Sequence, residues 1–512
     1  MNKNKQLAVN MAAQMLTFTL NIAISFFLTP FILQNIGEAA YGFIGLANNF
    51  ISYAGVLTVA LNSMASRFIT ISIHKNEYNE VNRYMSSITV ANAALSLFFS
   101  VAAVVILANL NRIVKVPDNI LQDVTVLWGL LFLGFFITLI GGVFDVATFA
   151  HDRLDLAAVR NAESSVFRAG ILFLMYSFFA PNVWYVGLSA VLCNCYVVGM
   201  NIHYTKKFMP YVKIRKKYID IKKIVTLISS GIWNSLSKLS GILSNGLDLL
   251  ITNVFVSASA MGIVSVAKII PTYVLAAFGT IAGVFAPQLT ISYAKDNLQK
   301  IEKQLNQAVK LLSFIAAIPV SCYYVFGQDL YSLWLPTQNA QLLSILGIIT
   351  SLAWLFVLPI EPLWNIFTVT NKVKVSSLFL LINSAATIMI TYILLLFAKS
   401  DFMKMCIVCG VSTVFSIIRA LTFLPIYGAK CLGMKWYTFY KTIGKAFVNN
   451  IIGILLAGAV RFFLAVNSWM TLFLALGITT MLICAVNYFA VFNKTERKLI
   501  INMLLRRKGH DT

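Results

Sequence analysis

Tyr204–Lys223 reads YTKKFMPYVKIRKKYIDIKK. It holds Lys206, Lys207, Lys213, Arg215, Lys216, Lys217, Lys222 and Lys223 against one acid, Asp220. Nearly continuous apolar sequence lies on both sides. A short basic loop between apolar spans stays on the cytoplasmic side of a membrane. The loop also falls a little short of the middle of the chain, which makes it the expected hinge between two membrane-embedded halves.

Composition supports that reading. The chain has 512 residues, 59% hydrophobic and 11% charged, with a mean hydropathy of +0.81. Repeated apolar runs of about 20 residues are the signature of a polytopic helical membrane protein. Period-two alternation, which a transmembrane barrel requires, is absent. The formal net charge of +22 would suggest nucleic acid in a soluble chain. Here it belongs to loops on one side, so no nucleic-acid partner is expected. Lys3 and Lys5 lead directly into the first apolar run, which reads as its own anchor rather than a cleaved leader. The seven cysteines imply no disulfide framework. Cys406-x-x-Cys409 lies within a span with no second ligand pair, and reads as core filling rather than a metal site.

The hydropathy pattern gives about fourteen spans. Segments expected in the cytoplasm carry 31 basic residues, against 4 in the expected outer loops. That bias places both termini in the cytoplasm, and the protein is expected in a bacterial cytoplasmic (inner) membrane. A shift of 220 lays Gly42–Lys75 on Gly262–Lys295 without a gap, with 7 of 34 pairs identical. Matched spans run the same way through the membrane, which defines a parallel repeat. The expected organisation is a six-helix bundle over 1–203, the basic linker 204–223, a second six-helix bundle over 224–427 and a cytoplasmic loop over 428–445. Two further transmembrane helices follow within 446–492, and then a basic cytoplasmic tail, 493–512.

Charges inside spans cost roughly 2.5–3.5 kcal/mol each on insertion scales and therefore need a reason. The basic ones are Arg168, Lys238, Lys268, Arg419 and Arg461; the acids are Asp145, Glu163, Asp248 and Glu361. Asp145 and Glu163 lie near cytoplasmic ends and read as wetted, and Arg461 reads as snorkelling. In the seventh span Asn234, Lys238, Gly241, Asn245 and Asp248 recur at helical spacing on one face. Asn10, Gln14, Thr17 and Asn21 do the same in the first span. Two such stripes face to face would line a wet cavity; the alternative is helix packing through small and polar residues. Glu361 lies in Pro359-Ile-Glu361-Pro362, where two prolines interrupt the helical hydrogen bonds. There it is a candidate proton or cation site or the partner of a basic residue. Asp248 is a second candidate for coupling. The four histidines form no ligand cluster. No phosphate-cradling loop, metal set or nucleophile constellation is present, so no enzyme, resident cofactor or catalytic residue is expected. Residues 293–310 read as an amphipathic helix on the inner surface.

Several short stretches resemble a known family. They are IGEAAYG (36–42), NSMASRF (62–68), HDRLDLAAVRN (151–161), LYSLWLP (330–336) and NKTERKLI (493–500). On these the chain resembles the polysaccharide flippases, translocases of O-units or other lipid-linked oligosaccharides, within the multidrug/oligosaccharidyl-lipid/polysaccharide exporter superfamily. The resemblance covers nearly the whole chain. It implies two six-helix bundles in a V around a central cavity that opens alternately to each side. It further implies a cationic cavity that receives a pyrophosphate and sugars. The last two helices resemble those that form a lipid-tail groove in lipid II flippases.

The leading expectation is translocation of a polyprenyl-pyrophosphate-linked oligosaccharide from the cytoplasmic to the outer leaflet, for surface polysaccharide synthesis. Lys238, Lys268, Arg168 and Arg419 would attract the phosphates. Asn234, Asn245, Gln14 and Asn21 would line the cavity, and Trp233 and Tyr53 would stack on sugars. Glu361 and Asp248 are the candidate sites for Na+ or H+ coupling. Membrane lipids and a polysaccharide polymerase are the expected partners. The alternative is a cation-coupled multidrug or small-molecule exporter of the same fold, whose site should be acidic. Basic residues within the spans outnumber acids by five to four, which favours the flippase.

Overall fold

The computed structural model describes residues 3–294 and 297–490. The tail 493–512, Lys295 and the side chain of Asn245 lie outside what it describes. Among the described residues the chain is all helical, with no strand. The helices are α1 (Lys3–Asn62), α2 (Ala65–His74), α3 (Tyr78–Ala108), α4 (Leu121–Gly141), α5 (Leu154–Phe178), α6 (Tyr185–Phe208), α7 (Ile221–Asn245), α8 (Asp248–Phe255) and α9 (Ala258–Ala267). They continue as α10 (Ile269–Gly283), α11 (Ala286–Ala294), α12 (Leu298–Trp334), α13 (Ala340–Ser351), α14 (Trp354–Ile360) and α15 (Asn365–Val369). The last are α16 (Val373–Phe397), α17 (Asp401–Leu421), α18 (Phe423–Cys431), α19 (Tyr440–Phe463) and α20 (Trp469–Ala490).

Helix α1 has 60 residues. At about 1.5 Å per residue it would be about three times the thickness of a bilayer's hydrocarbon core. The chain turns instead at Gly37, whose φ of 78° and ψ of 168° suit glycine alone. By length and apolarity, ten helical segments among the described residues can cross a membrane. The number is eleven when the bent pair Ala340–Ser351 and Trp354–Val369 counts as one span. The fourteen expected spans further require α1 to be divided at Gly37, and require α5 and α7, whose polar and charged residues put them outside that set.

The repeat seen in the sequence has a counterpart in the helix breaks. Gly37 matches the gap between α8 and α9 at Val256–Ser257. The break between α1 and α2 matches the one between α10 and α11. The break at Lys268, between α9 and α10, has no counterpart, because the matching Asn48 lies in continuous α1. The repeat mates Gly42 and Gly262 pack on each other: a Cβ on Gly42 would lie 2.9 Å from the Gly262 nitrogen.

The contacts divide the chain into two compact units. The first gathers Met1–Ser265, Ser377–Met389 and Ala398–Lys404; the second gathers Val266–Ser376, Ile390–Phe397 and the chain from Met405. Helix α7, which follows the basic loop, thus belongs with the first unit. One apolar core there joins Leu61, Ile69, Val81, Met85, Ile88 and Leu227. In the second unit one core joins Leu305, Ile360, Leu363, Leu424 and Phe439, and another joins Phe326, Ala457 and Leu472.

Some expectations require correction. Residues 298–310 are no separate surface helix; they open the continuous α12, with Ile301, Leu305 and Ala308 buried, because nothing breaks the helix before Pro319. Arg461 does not snorkel alone: its guanidinium holds both carboxylate oxygens of Asp329 and the Val325 carbonyl. Asp145 is not merely wetted, since it pairs at 3.0 Å with Arg160, which also donates to Asn201. The 49° bend near Glu361 falls at Leu352–Ala353, ahead of the prolines. Pro359 and Pro362 instead lead into one 3-10 turn, Glu361–Trp364, because a turn start needs fewer amide donors.

Candidate functional site

In the first unit α7 is held on two sides by small polar residues. The Ser235 hydroxyl donates to the Val56 carbonyl at 2.8 Å, and the Asn234 amide to the Ser63 hydroxyl at 3.2 Å. Gly231 brings the helix against the Ala60 carbonyl so closely that a Cβ has no room. On the other side Ser237 meets the Ser377 hydroxyl at 2.6 Å, and the Ser384 hydroxyl donates to the Ser240 carbonyl at 2.9 Å. Serine, glycine and Asn234 thus do the packing, as small polar residues do in membranes. Lys238 is left exposed on the same helix. At its end Tyr53 donates to the Gly246 carbonyl at 2.6 Å, and the next helix opens with buried Asp248. The Tyr53 hydroxyl thus holds α1 to the break after α7.

The stripe of the first span divides in two. Buried Asn10 donates to Asp152 and accepts from the Asp155 amide at 3.0 Å, while Thr17 donates to the Ala158 carbonyl. These two dock α1 on α5 and the loop before it. The Arg153 guanidinium pairs with Asp155 at 3.0 Å and holds that carboxyl below its usual range. Gln14 is exposed; Asn21 is partly buried, with its side-chain oxygen lacking a partner.

Beside that stripe α1, α5 and α6 enclose a groove of about 610 Å³. Its walls are almost wholly apolar, with Leu16, Leu20, Val166 and Phe167 among them. One carboxylate, Glu163, lies in the lining, and the Tyr196 hydroxyl donates to it at 2.5 Å. Arg168 follows Glu163 about one and a half turns later along α5. Sequence reading missed the groove and Tyr196. Glu163 was its one visible signal, as an acid within an apolar run.

In the second unit the broken helix presents Glu361, which is partly buried. Its carboxylate points along α10, where a Cβ on Gly279 would come within 4.0 Å of it. Arg419 of α17 lies within electrostatic reach of Glu361, and its guanidinium is 5.7 Å from the centre of the Trp364 ring. The neighbouring Asn365 donates to the Ala282 carbonyl at 2.9 Å, which ties the turn to α10. The arrangement is a carboxylate with a guanidinium within electrostatic reach, the guanidinium beside the Trp364 ring, at a helix whose backbone bonds are interrupted. Such a group can exchange a proton or cation against its internal partner. Lys268 occupies the break between α9 and α10, where the Tyr331 hydroxyl takes up the Ala267 carbonyl at 3.2 Å. Arg419 and Glu361 thus lie within electrostatic reach of each other in the second unit, which also holds Lys268. Arg168, Lys238, Asn234, Asn245, Gln14, Asn21 and Asp248 lie in the first. Among the described residues no three histidine, cysteine, aspartate or glutamate side chains could share a metal ion.

No protein-family model matches the chain. Over 509 residues, 98% of either chain, it is 27% identical to a Bacillus subtilis (strain 168) protein described as the uncharacterized membrane protein EpsK. In fold it is similar to lipid II flippase MurJ in an inward closed conformation, with TM-score 0.65 and 14% identity over 94% of this chain and 99% of that one. It is also similar to a multidrug resistance MATE family transporter of the MOP superfamily. The inward-facing form gives TM-score 0.63 at 14% identity, over 83% of this chain and 98% of that one. The outward-facing form gives 0.59 at 13% identity, over 82% and 96%. The fold is therefore that of the MATE and MurJ transporters, and the chain is a multi-pass membrane protein of that fold.

Proposed function

We propose that this chain is a flippase for a polyprenyl-pyrophosphate-linked oligosaccharide, carried from the cytoplasmic to the outer leaflet for surface polysaccharide synthesis. The observation that carries the reading is the reach of the fold likeness. MurJ covers 94% of this chain, whereas the MATE transporter covers 83%. The difference is close to the length of α19 and α20, which a lipid-linked cargo would use for its tail. Charge sign supports the same cargo, because exposed Lys238 and the cations Lys268, Arg168 and Arg419 suit a pyrophosphate. Asn234, Asn245, Gln14 and Asn21 are proposed as its polar neighbours. Glu361 and Asp248 are proposed for coupling to Na+ or H+. Likeness to both inward-facing and outward-facing MATE structures supports alternating access. The two six-helix halves read from the sequence, an inner-membrane location with both termini in the cytoplasm, and a polymerase as partner belong to this proposal.

A second reading, a cation-coupled exporter, is favoured by one observation: among the described residues the sole charged group lining the α1–α5–α6 groove is acidic Glu163. Mass spectrometry of lipids from cells lacking the gene separates the two. Accumulated polyprenyl-pyrophosphate carrying a complete oligosaccharide, with loss of surface polysaccharide, is the expected result. Unchanged lipids with new sensitivity to cationic drugs would sink the flippase reading. Lys268→Ala is expected to abolish export at a normal protein level in the membrane. Export retained in that variant removes Lys268 from the site.

A further inference from the structure

The basic stretch 209–223 is not a free tether. Its underside is apolar: Met209, Tyr211 and Val212 pack against the first unit's core beside Val81, Tyr84 and Met85. Its backbone is stitched to the first turns of α3 by side chains. Asn82 accepts from the Lys213 amide at 2.7 Å and donates to the Tyr211 carbonyl at 3.5 Å. Ser86 accepts from the Arg215 amide at 3.3 Å, and Ser87 from the Asp220 amide at 2.9 Å. The far end is clamped by Lys223, which pairs with Glu80 at 2.5 Å and lies over the Tyr84 ring. The Glu80 carboxylate holds the Lys223 ammonium above its usual range.

Glu80 is shared between Lys223 and Arg83, and the Asp220 carboxylate accepts from the Lys222 amide. Lys213, Arg215, Lys216 and Lys217 point outward, exposed, with no ion pair among the described residues. Ile214 and Ile221 are exposed among them, Ile221 at 73%. Orientation by positive charge alone needs neither a fixed backbone nor exposed isoleucines.

We propose that the strap 209–223 is a fixed docking ledge for the anionic headgroups of membrane phospholipids. The four cations meet phosphates, and Ile214 and Ile221 enter the acyl boundary. Placement supports that occupant. The strap joins the ends of α6 and α7 and lies along the first three turns of α3, next to the end of an apolar helix long enough to span a membrane. Basic clusters immediately cytoplasmic of spanning helices attract anionic lipid, with the gain summed over each lysine or arginine.

The test uses the full-length protein reconstituted in an equimolar mixture of phosphatidylglycerol and phosphatidylcholine, extracted gently, with its retained lipid counted by native mass spectrometry. The native protein is expected to retain phosphatidylglycerol preferentially. The variant K213Q/R215Q/K216Q/K217Q keeps Lys206, Lys207, Lys222 and Lys223 for orientation. It is expected to lose that preference by at least about fivefold. A second variant, N82A/S86A, removes the stitching without changing charge and is expected to lower the preference as well. Undiminished enrichment in the glutamine variant overturns the proposal. Enrichment equal to the native protein's in N82A/S86A overturns the fixed ledge, since mobile charge would then suffice.

Discussion

Arg419→Ala is expected to abolish transport and lower the amount of folded protein. The substitution leaves Glu361 in a low-dielectric surrounding without its opposite charge. Removing the cation that faces such a carboxylate costs up to about 3–5 kcal/mol, the upper end belonging to fully buried pairs in direct contact. The Trp364 face loses its cation at the same time. A second variant separates structure from function. Replacing both charges, as E361Q/R419M, removes the unpaired carboxylate, so the protein level should return towards native. If the pair exchanges a proton or ion during transport, activity stays lost in this double variant. If the double variant transports normally, the pair is only a packing device, and Glu361 has no place in coupling.

Gly262→Ala is the second large effect. Gly262 packs against the Glu38 carbonyl and against its repeat mate Gly42. A Cβ there collides with backbone, which cannot rotate away as a side chain can. Overpacking of this kind costs typically 1–3 kcal/mol and more where nothing yields, so about 3 kcal/mol is expected. The measurement is the thermal midpoint in detergent beside the level in membranes. Gly55→Ala is the control, since a Cβ at Gly55 meets nothing within 4 Å. It should match the native protein or exceed it slightly through helix propensity. Equal midpoints for Gly262→Ala and Gly55→Ala would show that the Glu38 carbonyl gives way.

Both predictions rest on contacts whose participants are visible in the sequence while their meeting is not. Gly42 and Gly262 appear there as a repeat pair, and the shift of 220 between them also places the helix breaks near Gly37 and after Asn62. Arg419 and Glu361 appear as charges that each need a partner. Nothing in local spacing says that they come within reach of each other, because they lie 58 residues apart and only the packing of the second unit sets how near they come.

Much of the architecture is local physics and so was legible from residue order. Apolar runs long enough to cross a bilayer, charge bias between loops, and the period of the polar stripe on α7 each depend on neighbours along the chain. The basic character of 204–223 is of this kind. The tertiary structure decided how such residues are spent. Of one stripe, it set Asn10 and Thr17 to docking α5 and left Gln14 exposed. It turned Tyr53 to the Gly246 carbonyl, and brought Tyr196 to Glu163 across 33 residues. It laid the basic loop along α3, 131 residues from Asn82 to Lys213. It put the bend of the second unit at Leu352–Ala353, where neither residue breaks helices, and left the prolines a short turn. In each case the outcome depends on how a helix is rotated against partners distant in sequence. That rotation is set by summed packing over many side chains, and no single stretch of sequence encodes it.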